Sequence, residues 1–176
     1  IVQVCEEEKT DLLLIAGDLF HRQPLLRELR ELDALFAELT HTKVVMIAGN
    51  HDYLKADSYY RRYKWKSEVY GLMSGELDYI EFPELATCVY GLSYLKKEIT
   101  EPLYDNAFPE HRQRIEILLA HGGDEKHIPI QKNRLMQLGY DYIAFGHIHR
   151  RMILQEGKIE YAGSLEPTDK NDIGPH

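Results

Sequence analysis

Cysteine is scarce in this sequence: 176 residues carry two, Cys5 and Cys88, and neither belongs to a Cys-x-x-Cys pair. That argues against a disulfide framework and suits a reduced, cytoplasmic setting. No apolar run approaches the length of a membrane span, so no membrane partner is expected. The opening Ile1-Val2-Gln3-Val4-Cys5, followed by three glutamates, lacks the basic-then-apolar pattern of a secretion signal. Positive charge is also short, with 21 Lys+Arg against 29 Asp+Glu and a formal net charge of −8. This speaks against a chain-wide electrostatic grip on nucleic acid, while leaving room for a local basic groove. Internal repeats and low-complexity segments are absent. What remains is ordinary: 44% apolar and 28% charged residues describe one soluble domain able to bury a good core.

The two ends carry their own signals. Residue 1 is Ile, and Ile1 to Lys9 reads like the last turns of a helix already under way. Thr168 to His176 is polar, contains Gly174-Pro175 and stops without a cap. The expectation is an internal piece of a longer protein, with one domain over 1–167 and the start of a linker over 168–176.

Between the ends, apolar periodicity gives the elements. Asp11 to Asp18 and Lys43 to Ala48 are short continuous apolar runs, as expected for strands covered on both faces. Between them, Leu25, Leu29, Leu32, Leu35, Phe36 and Leu39 follow helical spacing, and Pro24 suits a first turn. A strand, a helix and a strand predict a parallel crossover. Ala56 to Trp65 reads as a short helix. Leu77 to Phe82 and Thr87 to Tyr90 read as a hairpin around Pro83-Glu84, and Thr100 to Glu110 as loop. Arg114 to Ala120 is a strand, Ile130 to Leu138 a helix closed by Gly139, and Tyr142 to Phe145 a strand. Met152 to Gln155 and Lys158 to Ala162 form a hairpin across Glu156-Gly157. The fold class is α/β, a sandwich of two mixed sheets flanked by helices.

Polar motifs follow four of the apolar runs: Gly17-Asp18-Leu19-Phe20-His21, Gly49-Asn50-His51-Asp52, His121-Gly122 and Gly146-His147-Ile148-His149. The carboxyl ends of buried strands are where open α/β sheets place ligands. One Asp, one Asn and several His at a common point suit a divalent transition metal, and a carboxylate can bridge two. Each motif alone has a plainer reading. Gly-Asp after a strand also makes a turn or an N-cap. Gly-Asn-His-Asp also makes a polar turn, and His121 also reads as a satisfied, half-buried histidine. His147 and His149, two apart, project to one side if the segment is extended.

Taken jointly, the motifs resemble those of the calcineurin-like metallophosphoesterases, whose pattern is D-x-H, G-D, G-N-H-[DE], H and G-H-x-H. The likeness runs from Asp11 to Gly163. Within that superfamily, the histidine after Asp18-Leu19-Phe20, the Gly146-His147-Ile148-His149 wording and the ending Tyr161-Ala162-Gly163-Ser164-Leu165-Glu166-Pro167 are most similar to DNA repair exonucleases of the SbcD type. The resemblance implies roles. Asp18 would bridge two divalent ions, with manganese the first choice. Asn50, His121 and His147 would complete one site, and His149 would serve the other. His51 would stand beside the scissile phosphate as general acid or transition-state partner, with His21 close by, contacting the nucleotide or its phosphate. No Asp-x-His lies upstream of Asp18 in this chain, so the second site is expected to be weak. The implied function is metal-dependent exonucleolytic hydrolysis of DNA by a water activated between two ions. An SMC-like ATPase partner and a homodimer are implied by resemblance alone.

A basic, aromatic stretch from Tyr59 to Lys66 follows the second motif. Arg61, Arg62 and Lys64 there are candidate DNA contacts, with Lys96-Lys97 and, directly after the last motif, Arg150-Arg151 as further candidates. The same stretch also reads as an amphipathic helix whose aromatics pack on the core. Two other functions stay open: a calcineurin-like phosphoesterase acting on a non-DNA phosphoester, and a non-catalytic scaffold of the same fold. The intact Asp18, Asn50, His51, His121, His147 and His149 argue against the scaffold.

Overall fold

Continuous apolar strands need cover on both faces, and two stacked sheets with flanking helices provide it. The computed structural model describes residues 1–165, so the expected boundary at 167 and the segment 168–176 lie outside the described residues. The smaller sheet holds β1 (Leu12–Ala16), β2 (Lys43–Ile47) and β3 (Val69–Gly71), all parallel. The larger sheet holds β4 (Asp78–Phe82), β5 (Thr87–Gly91), β6 (Ile115–His121), β7 (Tyr142–Gly146), β8 (Met152–Gln155) and β9 (Ile159–Tyr161). Their order is β4-β5-β6-β7-β9-β8, with β4 and β8 antiparallel to their neighbours and the centre parallel. The α/β sandwich is as expected, except that only the larger sheet is mixed.

Strand side chains alternate between faces, so one strand can serve two cores. Leu12, Leu14 and Ala16 of β1 pack between the sheets with Val45, Ile47, Val89 and Leu119. Leu13 and Ile15 face outward, onto a cluster containing Val2 of α1 (Val2–Glu8) and Phe36 of α2 (Leu26–Phe36). Helix α2 starts where Glu28 accepts the Leu25 N–H at 2.7 Å, reciprocating one orphan donor of the first turn. The outer face of the larger sheet carries five deeply buried tyrosines, Tyr90, Tyr94, Tyr104, Tyr140 and Tyr161, with Leu135 of α3 (Lys132–Gln137).

The expected helix over Ala56 to Trp65 is instead a single 3-10 turn, Tyr59–Arg61. Its continuation is captured by Asp33, a buried carboxylate on α2. Asp33 accepts the Tyr63 hydroxyl at 2.9 Å, the Lys66 N–H at 3.1 Å and the Ser67 N–H at 3.0 Å, as well as the Ser67 hydroxyl. Those bonds hold residues 63–67 in an irregular path, bent at Lys66 and Ser67, that feeds β3, a strand that the apolar pattern does not reveal. Burial works to raise the Asp33 carboxyl, but the hydrogen bonds from Ser67, Lys66 and Tyr63 outweigh it and hold it below the usual carboxylate range. A depressed carboxylate stabilises the fold above its unfolded pKa, and the benefit is lost as pH falls through the folded value. Asp33→Ala is therefore expected to cost about 2–3 kcal/mol at pH 7, because it strands buried donors. The deficit should shrink in acid. Urea unfolding at pH 7 and in the acid range below the usual carboxylate pKa measures both; a loss under about 0.5 kcal/mol at pH 7 would refute the clamp.

Candidate metal centre

Parallel strands from both sheets end at one edge of the sandwich, and the four motifs follow them. Asp18 lies just past β1 in a left-handed conformation with φ 52°, after Gly17 at φ 79°. Asp and Gly tolerate that region better than most residues. The turn brings Asp18 Oδ1 within 2.8 Å of the His51 N–H, which donates to it. Gly49 is required by crowding: a Cβ there would strike the Asp18 carboxylate and come within 2.7 Å of His121 Cε1. Asp52 locks the same loop from behind. It is fully buried and accepts the Gly49 N–H at 2.7 Å, the Tyr60 hydroxyl at 2.9 Å and the Phe20 N–H at 3.3 Å. Burial, with the Asp18 charge added, pushes the Asp52 carboxyl up.

The larger sheet supplies the other half. His121, fully buried at the end of β6, places Nδ1 at 2.7 Å from the Ala16 carbonyl and Nε2 at 2.9 Å from Asn50 Oδ1. Asp18 Oδ2 is 3.3 Å from the same Nε2. His147, just past β7 at φ 89°, brings Nδ1 to 3.1 Å from Asn50 Oδ1. Asp18, His121 and His147 each offer one ligand atom within 4.8 Å of the others.

The donor chemistry fits a cation. With Nδ1–H spent on Ala16 O, His121 turns a lone pair toward a carboxylate oxygen and an amide oxygen. Three electron-rich atoms then face each other with no proton between them, which is costly unless a positive charge sits among them. One carboxylate, one amide oxygen and two imidazoles suit a first-row divalent ion, and the backbone carbonyl behind His121 fixes its tautomer as metal sites usually require. Burial lowers the His51 imidazole, against the upward pull of Asp18.

Beside these donors lies an open cleft of about 640 Å³. His21, Arg22, Gln23, Leu25, Asn50, His51, Tyr53, Lys55 and Lys97 line it. Three of these are cationic and none is a carboxylate, although the chain is acidic overall. Arg22 is paired with Glu28 at 2.6 Å, so Lys55 and Lys97 carry most of the local positive field. His21 and His51 stack with ring centroids 4.4 Å apart. The cleft thus presents two imidazoles and two ammonium groups to an anionic ligand.

The remaining candidates fall elsewhere. His149 is exposed, because the positive φ of His147 breaks the extended run that would aim both histidines together. It belongs to neither cluster of ligand atoms found among the described residues. Arg61 donates to the carbonyls of Lys55 and Leu54, and Arg62 to that of Asp57. Lys64 and Arg150 are exposed, and none of the four lines the cleft. Tyr60, Tyr63 and Trp65 pack into the core beneath α2, as the amphipathic reading had it.

Sequence reasoning missed two supports of the site. The first is a tyrosine cradle. Tyr104 OH accepts the His121 N–H at 2.9 Å, Tyr94 OH donates to His121 O at 3.0 Å, and Tyr161 OH donates to Gly122 O at 2.9 Å. Burial pushes all three phenols up, which keeps them protonated. Twelve tyrosines in the chain gave no sign of which three these were. The second is Asp124, whose carboxylate lies 2.7 Å from His147 Nε2 and 2.9 Å from His127 Nδ1. Burial opposes its ionisation, but the His147 and His127 hydrogen bonds hold it well below the usual carboxylate range.

A family model described as calcineurin-like phosphoesterase matches residues 1–151. The chain is 26% identical to the uncharacterized metallophosphoesterase YhaO of Bacillus subtilis over 99% of its own length and 46% of the relative's. It is 28% identical to the DNA double-strand break repair protein Mre11 of Methanocaldococcus jannaschii over 94% of its length and 48% of the relative's. The chain spans about half the length of both. No helix among the described residues is long and apolar enough to cross a membrane.

Proposed function

Because this chain belongs to the calcineurin-like phosphoesterase family, a family of metal-dependent phosphoester hydrolases, we propose that it is the catalytic part of a DNA exonuclease acting in repair. The observation that carries this reading is the convergence of Asp18, Asn50, His121 and His147 beside a cleft lined by His21, His51, Lys55 and Lys97. A phosphodiester is anionic and flanked by further phosphates, so a cleft lined, among the described residues, by two ammonium groups and no carboxylate suits it. The similarity to an Mre11 protein adds weight to DNA as the polymer.

In this reading Asp18, Asn50, His121 and His147 would hold one divalent ion, manganese by preference. Asp18 and His149 would serve a second. When bound, the ions supply Lewis acidity and offset the negative charge of the phosphoryl group. The chain's own groups do the rest. Lys55 and Lys97 align the flanking phosphates. His51, with His21 stacked against it, delivers a proton to the leaving oxygen. Partnership with an SMC-like ATPase, a homodimeric state and a cytoplasmic setting belong to the same proposal; two buried, free cysteines are compatible with the last.

The test uses the full-length protein on end-labelled linear DNA, with and without manganese, beside an aryl phosphodiester. Manganese-dependent shortening of DNA is expected. Cleavage of the aryl ester with intact DNA would transfer the assignment to a non-DNA phosphoesterase.

A further inference from the structure

An imidazole between two acceptors can donate to only one of them while neutral, so the choice of tautomer decides which nitrogen is left to bind a metal. His147 is in that position. Its Nδ1 faces Asn50 Oδ1 at 3.1 Å, on the side of Asp18 and His121, and its Nε2 faces Asp124 Oδ2 at 2.7 Å. A carboxylate is the stronger acceptor, which places the proton on Nε2 and the lone pair on Nδ1. We propose that Asp124 is a positioning residue that fixes the tautomer and orientation of His147, and so sets the cation affinity of the centre. This rests on the reading of Asp18, Asn50, His121 and His147 as that centre.

The surrounding loop is built to hold Asp124 in place. Its Oδ1 accepts the Lys126 N–H at 2.8 Å and the His127 N–H at 3.1 Å, and both carboxylate oxygens lie 2.9 Å from His127 Nδ1. The His127 ring packs 4.5 Å from the His147 ring, centroid to centroid. Gly122 and Gly123, at φ 129° and 120°, turn the chain back directly after His121. A Cβ on Gly122 would collide with the His127 carbonyl and come within 2.8 Å of the Tyr94 hydroxyl. Gly123 N–H closes the loop onto the His127 carbonyl at 2.7 Å. A residue three positions after one ligand thereby supports another ligand from a different strand. Asp124, His127 and His147 also bring their ligand atoms within 4.8 Å of one another. A separate cation there would need His147 Nε2 without its proton, and so would compete with the hydrogen bond.

Two measurements decide the matter. Long-range ¹H–¹⁵N spectra of the metal-free protein report the tautomer of His147 directly. The wild type should show the Nε2–H form, Asp124→Asn should keep it, and Asp124→Ala should lose its dominance. Manganese titration against a chelating dye should show affinity reduced by about 10–100-fold in Asp124→Ala at unchanged stoichiometry, with Asp124→Asn between. A wild-type His147 protonated on Nδ1 would overturn the proposal. So would an Asp124→Ala affinity within about twofold of wild type, a smaller effect than support of this kind gives, or the loss of a whole equivalent of metal. If wild type binds no manganese, the centre itself fails, while the tautomer spectra still judge Asp124.

Discussion

Asp18→Ala should release the metal and abolish phosphodiester hydrolysis together. Among the described residues, Asp18 supplies the only carboxylate of the donors that face His121 and Asn50, at 3.3 Å from His121 Nε2. Removing it deletes the negative charge that pays for a divalent ion in a buried site. Charge stabilisation by a bound ion is worth several kcal/mol, so a loss of about 4 kcal/mol corresponds to roughly 10³-fold in rate. The same substitution also frees the His51 N–H, which Asp18 Oδ1 accepts at 2.8 Å. Asp18→Asn separates the two effects, because its amide oxygen can still accept that N–H but carries no charge. If charge is what matters, Asn should behave like Ala in metal per chain after dialysis and in initial rate. An Asp18→Asn protein that retains full metal and rate would contradict the assigned role.

His51→Ala should do the opposite: keep the metal and lose the rate. The link between His51 and the centre runs through its backbone N–H, and truncating the side chain leaves that bond intact. The imidazole itself lines the cleft and stacks on His21. A group that delivers a proton in the transition state contributes about 10²–10⁴-fold, so kcat should fall by that much. Metal content and manganese affinity should stay close to wild type. If His51→Ala strips the metal, His51 is a ligand or a support of one, and its assignment as proton donor is wrong.

The sequence made the strands legible for a physical reason. Sheets covered on both faces demand unbroken apolar runs, and β1, β2 and β6 show them. The polar residues at their ends stood out because a buried strand has few other places for Asp, Asn or His. What escaped was whatever depends on long-range capture. Residues 56–65 have helical amphipathicity, but Asp33 on α2 draws Tyr63, Lys66 and Ser67 into an irregular, bent path. The direction in which His149 points depends on the left-handed turn at His147, which the pattern Gly-His-Ile-His does not encode. Asp124 is an exposed acid in an ordinary loop, and only the fold brings it to His147. Lys55 and Lys97 lie 42 positions apart in the chain and meet only across the cleft. Lys97 stood out in the sequence as half of the basic pair Lys96-Lys97, but the isolated Lys55 did not.

The contacts that assemble the donors join residues 33, 71, 97 and 105 positions apart. Each closes a long loop, and none survives alone, since the entropy of bringing such ends together is recovered only when both sheets dock. During synthesis, then, Asp18, Asn50 and His121 are all made before the last of these donors, His147, exists. A ribosome-bound chain shorter than that point carries no centre, and a proteolytic fragment holding one sheet carries none either. A centre that waits for its last donor leaves every shorter nascent chain without one.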